Sequence, residues 1–372
     1  RPVSTLFSVT RSIGEFVGQS IYISIDTIGV VAGLAFLSHR IPIQYRGIGA
    51  TPSVANTIMK FNDRKPLTMI HQARFVHHDG MTVFADTLSP DESTGKTPMV
   101  MIHGGGHSGA CYLLTADNRP GWAYRFAEQG YPVWLPDWPG CGRSGDVPFP
   151  DLTGERVVAA LGTVLSEAAA TSPTGRVVMM SHSMSGALGW KLVEQNRSLI
   201  EKLVAVAPGP PGNIQPEATV VEETEDEVVV ESFGMTRRLA RDRAYAGGIE
   251  FVSHKLIGKS TRFPEGVLDM YAGHVAGVPP RLLYERQNIG GSQLKIDDLS
   301  VFDGLPVMVF TGEFDTDHPK DIDGAVVDWL ADAGAKVEYW WLPDHGVGGN
   351  GHMLMMEENS DELADMIIGW VG

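Results

Sequence analysis

One stretch of the sequence combines a short apolar run with evenly spaced small residues: Val177-Val178-Met179-Met180-Ser181-His182-Ser183-Met184-Ser185-Gly186. The apolar run is long enough for a buried strand, and residues 187–195 that follow have helical spacing. A sharp strand-to-helix turn requires small residues two before and two after the residue at its tip. Ser181 and Ser185 meet this requirement around Ser183. We therefore predict Ser183 as a nucleophile, with an ordinary helix-capping serine as the alternative.

Strands and helices alternate on both sides of this turn. Towards the N-terminus, Asp79-Gly80 separates two alternating apolar runs, which is typical of a β-hairpin. The other strand candidates are 98–102, 131–135, 176–180, 203–207, 307–311 and 337–342. Helical spacing covers 120–129, 157–170, 187–195, 323–333 and 363–370. The alternation predicts an α/β fold with a mostly parallel, doubly wound sheet that helices cover on both faces.

The alternation breaks down in the segment before the last two strands. We expect residues 65–211 and 305–372 to form the α/β core, with residues 212–304 inserted as a cap. Within this insertion, the acidic stretch 222–227 lies between runs of valine, which predicts a solvated hairpin tip.

Residues 1–64 lack the alternation and are predicted to form an N-terminal extension. Its apolar run, Ile21–Leu37, contains Gly29 and Gly33 at the spacing of close helix contacts. Asp26 interrupts the run, which also falls short of a membrane-spanning length. We therefore expect a buried or dimer-packing helix, and a homodimer through it, rather than a membrane segment.

The composition is that of an ordinary globular chain. Of 372 residues, 43% are hydrophobic and 20% are charged, so we expect a packed core rather than disorder. The net charge of −16 argues against a nucleic-acid partner and against anchoring on anionic lipid, because both need a positive surface. Two cysteines, Cys111 and Cys141, are too few for a disulfide scaffold and predict free thiols. With no signal peptide visible, we expect a cytoplasmic location, a secreted or periplasmic one being the alternative.

A glycine-rich loop, His103-Gly104-Gly105-Gly106, follows the strand predicted at 98–102. Glycines let backbone N–H groups approach a ligand, and donors aimed at a developing oxyanion stabilise a tetrahedral intermediate. We expect these donors to be the amides of Gly105 and of Met184, the residue after the predicted nucleophile. A phosphate loop is the alternative, but no Gly-Lys-Ser/Thr follows.

Two histidines compete for the role of general base in the loop 343–352. His352 ends this loop, directly before the apolar run 353–356, where a loop curling back over the sheet would bring it to Ser183. His345 lies nearer the predicted strand end and is expected to line the loop or the pocket. We therefore predict His352 as the base.

A carboxylate must orient the base and stabilise its charge. The chain order Ser…Asp…His points to the loop Gly312-Glu313-Phe314-Asp315-Thr316-Asp317-His318-Pro319. Asp315 has the Gly-x-x-Asp placement and is the predicted acid. Asp317 and Glu313 are the alternates.

These motifs resemble the α/β-hydrolase superfamily, and within it the bacterial carboxylesterase branch with a Ser-His-Glu triad. The similarity covers residues 65–372 and is most specific in three blocks of the sequence. They are 103–122 with its Arg119-Pro120-Gly121-Trp122, 181–186, and Gly346-Val347-Gly348-Gly349-Asn350-Gly351-His352-Met353. The resemblance implies Ser183 as nucleophile and His352 as base.

The sequence departs from this branch at the acid. The branch has a Glu-Pro-Gly after the strand that follows the nucleophile helix, and here Ala207 stands before Pro208-Gly209. We infer that the acid has moved to the loop after Thr311. Glycines replace the adjacent cysteines of the branch's oxyanion loop, which weakens any transfer of its secreted location or its substrate.

The predicted function is hydrolysis of a small-molecule carboxylic ester through an acyl-enzyme intermediate. Hydrolysis of an amide, lactone, carbamate or C–C bond is the alternative on the same site, because a fold does not fix chemistry. The third hypothesis is a binding protein without catalytic activity. The pocket is expected to include His103, Gly106, His107, Trp138, Tyr271, Leu283 and His345. No carboxylate or cysteine cluster accompanies His103 and His107, so we expect no metal and no cofactor.

Overall fold

The computed structural model of the chain describes residues 69–232 and 235–372. Residues Lys65–Gly372 form one compact unit. The N-terminal extension predicted over 1–64, with its apolar helix and dimer contact, lies outside the described residues. Within the described residues, no helix is both long enough and apolar enough to cross a membrane.

In the described part of the chain, eight strands form one sheet and three form another. The strands are β1 (Met69–His78), β2 (Met81–Pro90), β3 (Met99–Ile102), β4 (Val133–Pro136), β5 (Val177–His182), β6 (Ile200–Val206), β7 (Thr219–Glu223), β8 (Glu227–Ser232), β9 (Met235–Ala240), β10 (Pro306–Thr311) and β11 (Lys336–Trp341). The large sheet has the order β1-β2-β4-β3-β5-β6-β10-β11. Strand β2 runs in the direction opposite to that of the other seven strands, and all pairs that do not include β2 are parallel, which confirms the predicted mostly parallel sheet.

Helices connect the strands and cover the sheet. They are α1 (Trp122–Glu128), α2 (Gly154–Ala170), α3 (Ser185–Asn196), α4 (Gly248–Phe251), α5 (Leu268–His274), α6 (Pro280–Arg286), α7 (Lys320–Asp332) and α8 (Ser360–Val371). A π-helical turn, Val252–Ile257, continues α4. Short 3-10 turns are Gly109–Tyr112, Phe149–Asp151, Arg197–Leu199, Ile289–Gly291, Leu299–Phe302, Leu342–His345 and Leu354–Met356. Helix α2 begins earlier than predicted because the Thr153 side chain accepts a hydrogen bond from the Arg156 amide and caps it.

Side chains on the central strands alternate between two cores. On β3, Val100 and Ile102 pack on the face covered by α2, α3 and α7. Met99 and Met101 pack on the opposite face, against α1 and α8. Because helices cover both faces, each position of this strand is buried. The sequence of the strand is therefore a continuous apolar run.

The segment 212–304 contains the three-stranded sheet β7–β9 and helices α4 to α6. Its acidic stretch forms the end of the β7–β8 hairpin, as the sequence predicted. Strand β9, which sequence reasoning missed, pairs with β8. This segment has a small core of its own, made of Val228, Val230, Leu239, Val278, Leu283 and Ile289. The segment is therefore inserted between β6 and β10 within the compact unit of residues 65–372.

The carboxyl ends of neighbouring parallel strands meet at one edge of the large sheet. Ile102 of β3 is in register with Ser181 of β5, and His182 of β5 is in register with Val206 of β6. Strands β4 and β5 lie on opposite sides of β3, so the strand order reverses here and a crevice opens beyond the strand ends. The loops after β3, β5, β10 and β11 carry the predicted site residues to this crevice.

Candidate active site

Ser183 is the residue at the tip of the turn between β5 and α3. Its φ is +56°, a left-handed conformation that is rare for residues other than glycine. Hydrogen bonds from the backbone hold it there. The Ser183 amide donates to the Val206 carbonyl at 3.0 Å, and its carbonyl accepts from the amides of Gly186 and Gly209 at 2.7 Å each. This geometry lifts the hydroxyl above the sheet, where a substrate can approach it.

His352 reaches Ser183 from the loop after β11. Its Nε2 lies 2.9 Å from Ser183 Oγ, and its Nδ1 lies 2.6 Å from Asp315 Oδ2. A carboxylate only accepts hydrogen bonds, so Nδ1 carries the proton and Nε2 is left to accept the serine hydroxyl proton. The structure thus brings together three residues that are widely separated in the sequence and aligns their polar atoms.

The Asp315 carboxylate is fixed on both oxygens. While Oδ2 accepts from His352, Oδ1 accepts from the backbone amides of Asp317 at 2.9 Å and His318 at 3.1 Å. Burial alone would raise the pKa of Asp315. The neighbouring His352 and His318, together with the His352 hydrogen bond, outweigh burial and hold the pKa below its usual value. Asp315 is therefore an ionised carboxylate at neutral pH.

The two alternate acids are used elsewhere. Glu313 Oε2 accepts a hydrogen bond from the Gly349 amide at 2.9 Å. This contact joins the acid loop, residues 312–319, to the histidine loop, residues 343–352. Asp317 forms a salt bridge with Lys255 from the segment 212–304. Of the three carboxylates considered, Asp315 is the one that contacts His352.

Backbone contacts bring the acid loop and the histidine loop together. The Phe314 amide donates to the Asn350 carbonyl at 2.8 Å. At Gly312 a Cβ atom would lie 2.5 Å from the Gly351 carbonyl oxygen, so a side chain there would push the loops apart. Glycine at this position allows the approach that places Asp315 against His352.

The predicted oxyanion donors belong to residues around the cavity that contains the Ser183 hydroxyl. Gly105 and Met184 line the same cavity as Ser183. The preceding glycine, Gly104, approaches the turn so closely that a Cβ atom on it would lie 2.9 Å from Ser183 Cβ. The glycine-rich loop therefore lies against the nucleophile turn, where backbone N–H groups could face a bound carbonyl oxygen.

His103 and Trp138 do not line this cavity, contrary to the prediction. Both are buried beneath the glycine-rich loop, with their rings stacked at 4.8 Å. His103 Nε2 accepts from the Trp138 amide, so Nδ1 carries the proton and donates to the Gly104 carbonyl. The Ser185 hydroxyl donates to the His103 carbonyl at 2.6 Å and accepts from Trp138 Nε1 at 3.1 Å. These side chains support the loop from below.

His107 and Tyr271 form a second pair behind the loop, and the prediction that they line the pocket is wrong as well. His107 Nδ1 donates to the Gly105 carbonyl at 3.0 Å, and Nε2 accepts from the Tyr271 hydroxyl at 2.8 Å. Burial lowers the pKa of His107 to about 4, so the ring is neutral at neutral pH. Within the described residues there is no cluster of three or more His, Cys, Asp or Glu side chains arranged to bind a metal ion.

His345 is also outside the cavity. It is exposed at the end of a 3-10 turn and stacks on Trp340, with ring centroids 4.3 Å apart. The loop continues for several residues before it turns inward at His352. Only the second histidine of the loop therefore reaches Ser183.

The cavity above Ser183 has a volume of about 380 Å³. The predicted lining residues Gly106 and Leu283 are part of its wall. Much of the remaining wall comes from apolar side chains of the segment 212–304, namely Tyr245, Phe251, Leu256, Val275 and Val278. A cavity of this size, with an apolar portion of its wall above the hydroxyl, suits a small-molecule substrate that has an apolar part.

Sequence reasoning missed two histidines that pack against His352. The ring of His182 lies 4.8 Å away, and its Nε2 donates to the His352 carbonyl at 3.1 Å. The ring of His318 stacks at 5.4 Å, and its Nδ1 donates to buried Asp323 at 2.8 Å. His182 directly precedes Ser183, and His318 lies in the loop that carries Asp315. This position beside predicted site residues is the sequence feature that could have identified them.

Arg237 and Arg286 also escaped the sequence analysis, although both line the cavity. They belong to the segment 212–304, where the strand–helix alternation breaks down. No motif marks them in the sequence, and only the folding of this segment over the sheet edge brings them near Ser183.

Comparison with known proteins agrees with the observed architecture. A model of the alpha/beta hydrolase family matches residues 99–366. The chain is 24% identical over 354 residues to a probable secreted lipase of Fungal sp. (strain ATCC 74256), covering 79% of this chain and 86% of the lipase.

Solved structures show the same fold at low identity. A bacterial esterase is 18% identical with a TM-score of 0.50, covering 83% of this chain and 97% of the esterase. An epoxide hydrolase from Vigna radiata is 14% identical with a TM-score of 0.53, covering 81% of this chain and 97% of the epoxide hydrolase. The family model spans well over half of the chain and includes six of the eight strands of the large sheet, from β3 to β11. The chain therefore belongs to the alpha/beta hydrolase family and is a hydrolase with that fold.

Proposed function

We propose that this hydrolase cleaves carboxylic esters through an acyl-enzyme intermediate on Ser183. The observation that carries the proposal is the hydrogen-bonded line from Ser183 Oγ through His352 to Asp315, with distances of 2.9 and 2.6 Å. The names of two similar proteins, a lipase and an esterase, support an ester as the substrate.

In the proposed acylation step, Ser183 Oγ attacks the ester carbonyl carbon while His352 Nε2 takes the hydroxyl proton. Asp315 keeps the proton on Nδ1 and stabilises the imidazolium that forms. The amides of Gly105 and Met184 donate to the oxyanion, and one such donor contributes roughly 3–4 kcal/mol to the transition state. The intermediate then collapses, the C–O bond to the alcohol breaks, and His352 returns the proton to the departing alcohol.

Deacylation repeats these steps with water. His352 removes a proton from water as its oxygen attacks the acyl carbon, and Ser183 departs with that proton. In this proposal the segment 212–304 acts as a cap, since its apolar side chains form much of the cavity wall above Ser183. A cap that excludes bulk water strengthens the electrostatic interactions within the site.

Hydrolysis of short 4-nitrophenyl esters by the wild type, Ser183→Ala and Ser181→Ala tests this proposal. Loss of the nucleophile should reduce kcat by about 10⁶-fold, whereas Ser181→Ala keeps a small residue at a buried position near the end of β5 and should retain activity. Undiminished turnover by Ser183→Ala would rule the proposal out. A matched panel of amides, lactones and carbamates then identifies the preferred bond.

A fluorophosphonate probe separates an enzyme from a binding protein built on the same fold. The probe reacts with an activated serine hydroxyl, so it should label Ser183 in the wild type and leave Ser183→Ala unlabelled. An unlabelled wild type would favour the binding protein.

A further inference from the structure

Two arginines face the cavity that contains Ser183. Arg237 lies on β9, and Arg286 is the last residue of α6. Arg237 Nη1 donates to Gln287 Oε1 at 2.9 Å, and Arg286 Nη1 donates to Gln215 Oε1 at 3.2 Å. These partners are neutral amides, so they orient the two guanidinium groups without neutralising them.

The nearby carboxylates are engaged with other groups. Asp317, which also lines the cavity, is paired with Lys255. Asp323 accepts from His318 on one oxygen and from Thr311 on the other, at 2.8 and 2.5 Å.

A third carboxylate, Asp321, lines the cavity from the exposed first turn of α7. Among residues 69–232 and 235–372, neither Arg237 nor Arg286 forms a salt bridge with any carboxylate. The cavity therefore presents two guanidinium groups, neither of which is ion-paired with a carboxylate of the described residues.

Burial and mutual repulsion make the charged forms of Arg237 and Arg286 energetically unfavourable when no ligand is bound. Burial and, to a lesser extent, the positive charge of Arg237 lower the pKa of Arg286 to about 10, against the opposing negative charge of Asp323. Burial also lowers the pKa of Arg237. Both groups stay protonated at neutral pH, so two partly buried like charges lie close enough to repel each other. A bound anion would relieve this repulsion and restore the hydrogen bonds lost to burial.

Arg286 lies within reach of the reacting serine. A Cβ atom built on Gly209 would lie 3.2 Å from the Ser183 carbonyl oxygen and 3.3 Å from Arg286 Nε. The nucleophile turn and the Arg286 guanidinium group therefore both lie against Gly209, and Ser183 and Arg286 line the same cavity. A single small substrate could contact both.

We propose that the substrate is an ester that also bears a carboxylate, which Arg237 and Arg286 bind while the ester carbonyl lies at Ser183. The inference rests on the proposed ester hydrolysis at Ser183. A guanidinium group suits a carboxylate because its N–H groups match the two oxygens. The apolar side chains of the wall then enclose the chain that joins the carboxylate to the ester.

Two pairs of matched esters test this inference with the wild-type enzyme. Mono-4-nitrophenyl adipate and its terminal amide place the charge on the acyl side, and 4-acetoxybenzoate and 4-acetoxybenzamide place it on the alcohol side. Rates are divided by those of hydroxide-catalysed hydrolysis to remove intrinsic reactivity. In one of the pairs, kcat/KM for the carboxylate should exceed that for the amide by about 10- to 100-fold, as expected for a charge-assisted hydrogen-bonded contact.

Variants show whether the arginines cause this preference. Arg237→Gln and Arg286→Gln should each bring the carboxylate-to-amide ratio close to one. Arg238→Gln is the matched control, because Arg238 is the next residue on β9, is exposed, and pairs with Glu227 outside the cavity. The control should keep the wild-type ratio. Circular dichroism shows whether each variant is folded. If Arg286→Gln does not fold, the carboxylate-to-amide ratio of Arg237→Gln decides the test.

The outcomes separate failure of the inference from failure of the proposed function. Turnover of both esters of each pair at equal corrected rates would overturn the carboxylate site and leave the ester hydrolase standing. If no ester is cleaved, titration calorimetry of Ser183→Ala with monomethyl adipate and with 4-hydroxybenzoate still tests the site. If Ser183→Ala binds one of these ligands and the double variant Ser183→Ala, Arg237→Gln does not, the carboxylate site is supported. If Ser183→Ala binds neither ligand, the carboxylate site is overturned.

Discussion

At the scale of single residues, the site depends on a strained serine. A left-handed conformation costs a residue with a Cβ atom about 1–2 kcal/mol, and Ser183 adopts it with a φ of +56°. The ends of β5 and β6 hold it there through the backbone hydrogen bonds at Val206 and Gly209. This conformation keeps the half-buried hydroxyl at the cavity, directly before α3, instead of within the helix.

This strain has a measurable consequence. Ser183→Gly and Ser183→Ala both remove the hydroxyl, but only alanine retains a Cβ atom at a positive φ. The glycine variant should therefore be the more stable of the two by up to about 1 kcal/mol, which is the left-handed cost less the extra entropy of glycine in the unfolded chain. Urea unfolding measures the difference. A glycine variant clearly less stable than the alanine variant would show that the turn is not strained.

The acid provides a second prediction at this scale. Asp315→Asn should reduce kcat by about 10⁴-fold, because an amide can donate to His352 Nδ1 and favour the wrong tautomer. Asp317→Asn leaves the His352 contact intact and should cost far less. Stopped assays on a 4-nitrophenyl ester compare the two variants. The opposite ranking of the two would show that Asp317 is the acid.

At the scale of elements, the site depends on how two loops are joined. Buried Glu357, just after the histidine loop, accepts the Gly351 amide at 2.8 Å and Asn350 Nδ2 at 2.5 Å. It also accepts the hydroxyl of Ser260, which lies in the segment 212–304. Glu357 thus connects the loop that carries His352 to the insertion.

Removing Glu357 leaves buried donors without a partner. Glu357→Ala should lower the free energy of unfolding by about 2–4 kcal/mol, since more than one buried hydrogen bond is lost. Glu358→Ala is the matched control, because Glu358 is the adjacent residue and is exposed. Urea denaturation followed by circular dichroism gives both values. Equal stability of the two variants would mean that Glu357 does not anchor the loop.

His318, which lies just before α7, should make the free energy of unfolding depend on pH. Burial would lower the pKa of His318, but Asp323 and Asp315 outweigh it and raise the pKa above its usual value. The folded state therefore binds this proton more tightly than the unfolded state. The stabilisation is complete below about pH 6.5 and is lost as pH rises through the folded pKa.

Comparing the wild type with His318→Gln isolates this effect. The difference in their free energies of unfolding should be larger near pH 6 than near pH 9. Urea titrations at several pH values give that difference. A difference independent of pH would contradict the raised pKa of His318.

At the scale of the whole molecule, the proposed chemistry lies within one compact unit. Ser183, His352, Asp315 and the described cavity wall all belong to residues 65–372. A fragment of residues 65–372 should therefore fold and keep the ester hydrolysis of the full chain. Circular dichroism and an aryl ester assay test this. A folded fragment without activity would show that residues 1–64 contribute to catalysis.

The sheet was predictable because its signals are local. Buried parallel strands read as apolar runs, and the turn at Ser183 reads as small residues around a serine. The order of the loops along the chain then pointed to Asp315 and His352. The homodimer and the cytoplasmic location stay predictions.

The cavity wall was harder to predict because it depends on tertiary packing. His345 and Trp138 stand beside site motifs in the sequence, yet His345 stacks outward on Trp340 and Trp138 is buried beneath the glycine-rich loop. Arg237 and Arg286 come from a segment without regular alternation, and only the fold of that segment places them at the cavity.

The most direct test of covalent catalysis by Ser183 is the mass of the protein during turnover. Acid quenching of the wild type while it hydrolyses a 4-nitrophenyl ester, followed by peptide mass spectrometry, should locate the acyl group on Ser183. Ser183→Ala should carry no acyl group, and His352→Ala should acquire it far more slowly. An acyl group on another residue, or turnover by Ser183→Ala at the wild-type rate, would contradict the central claim that Ser183 is the activated nucleophile.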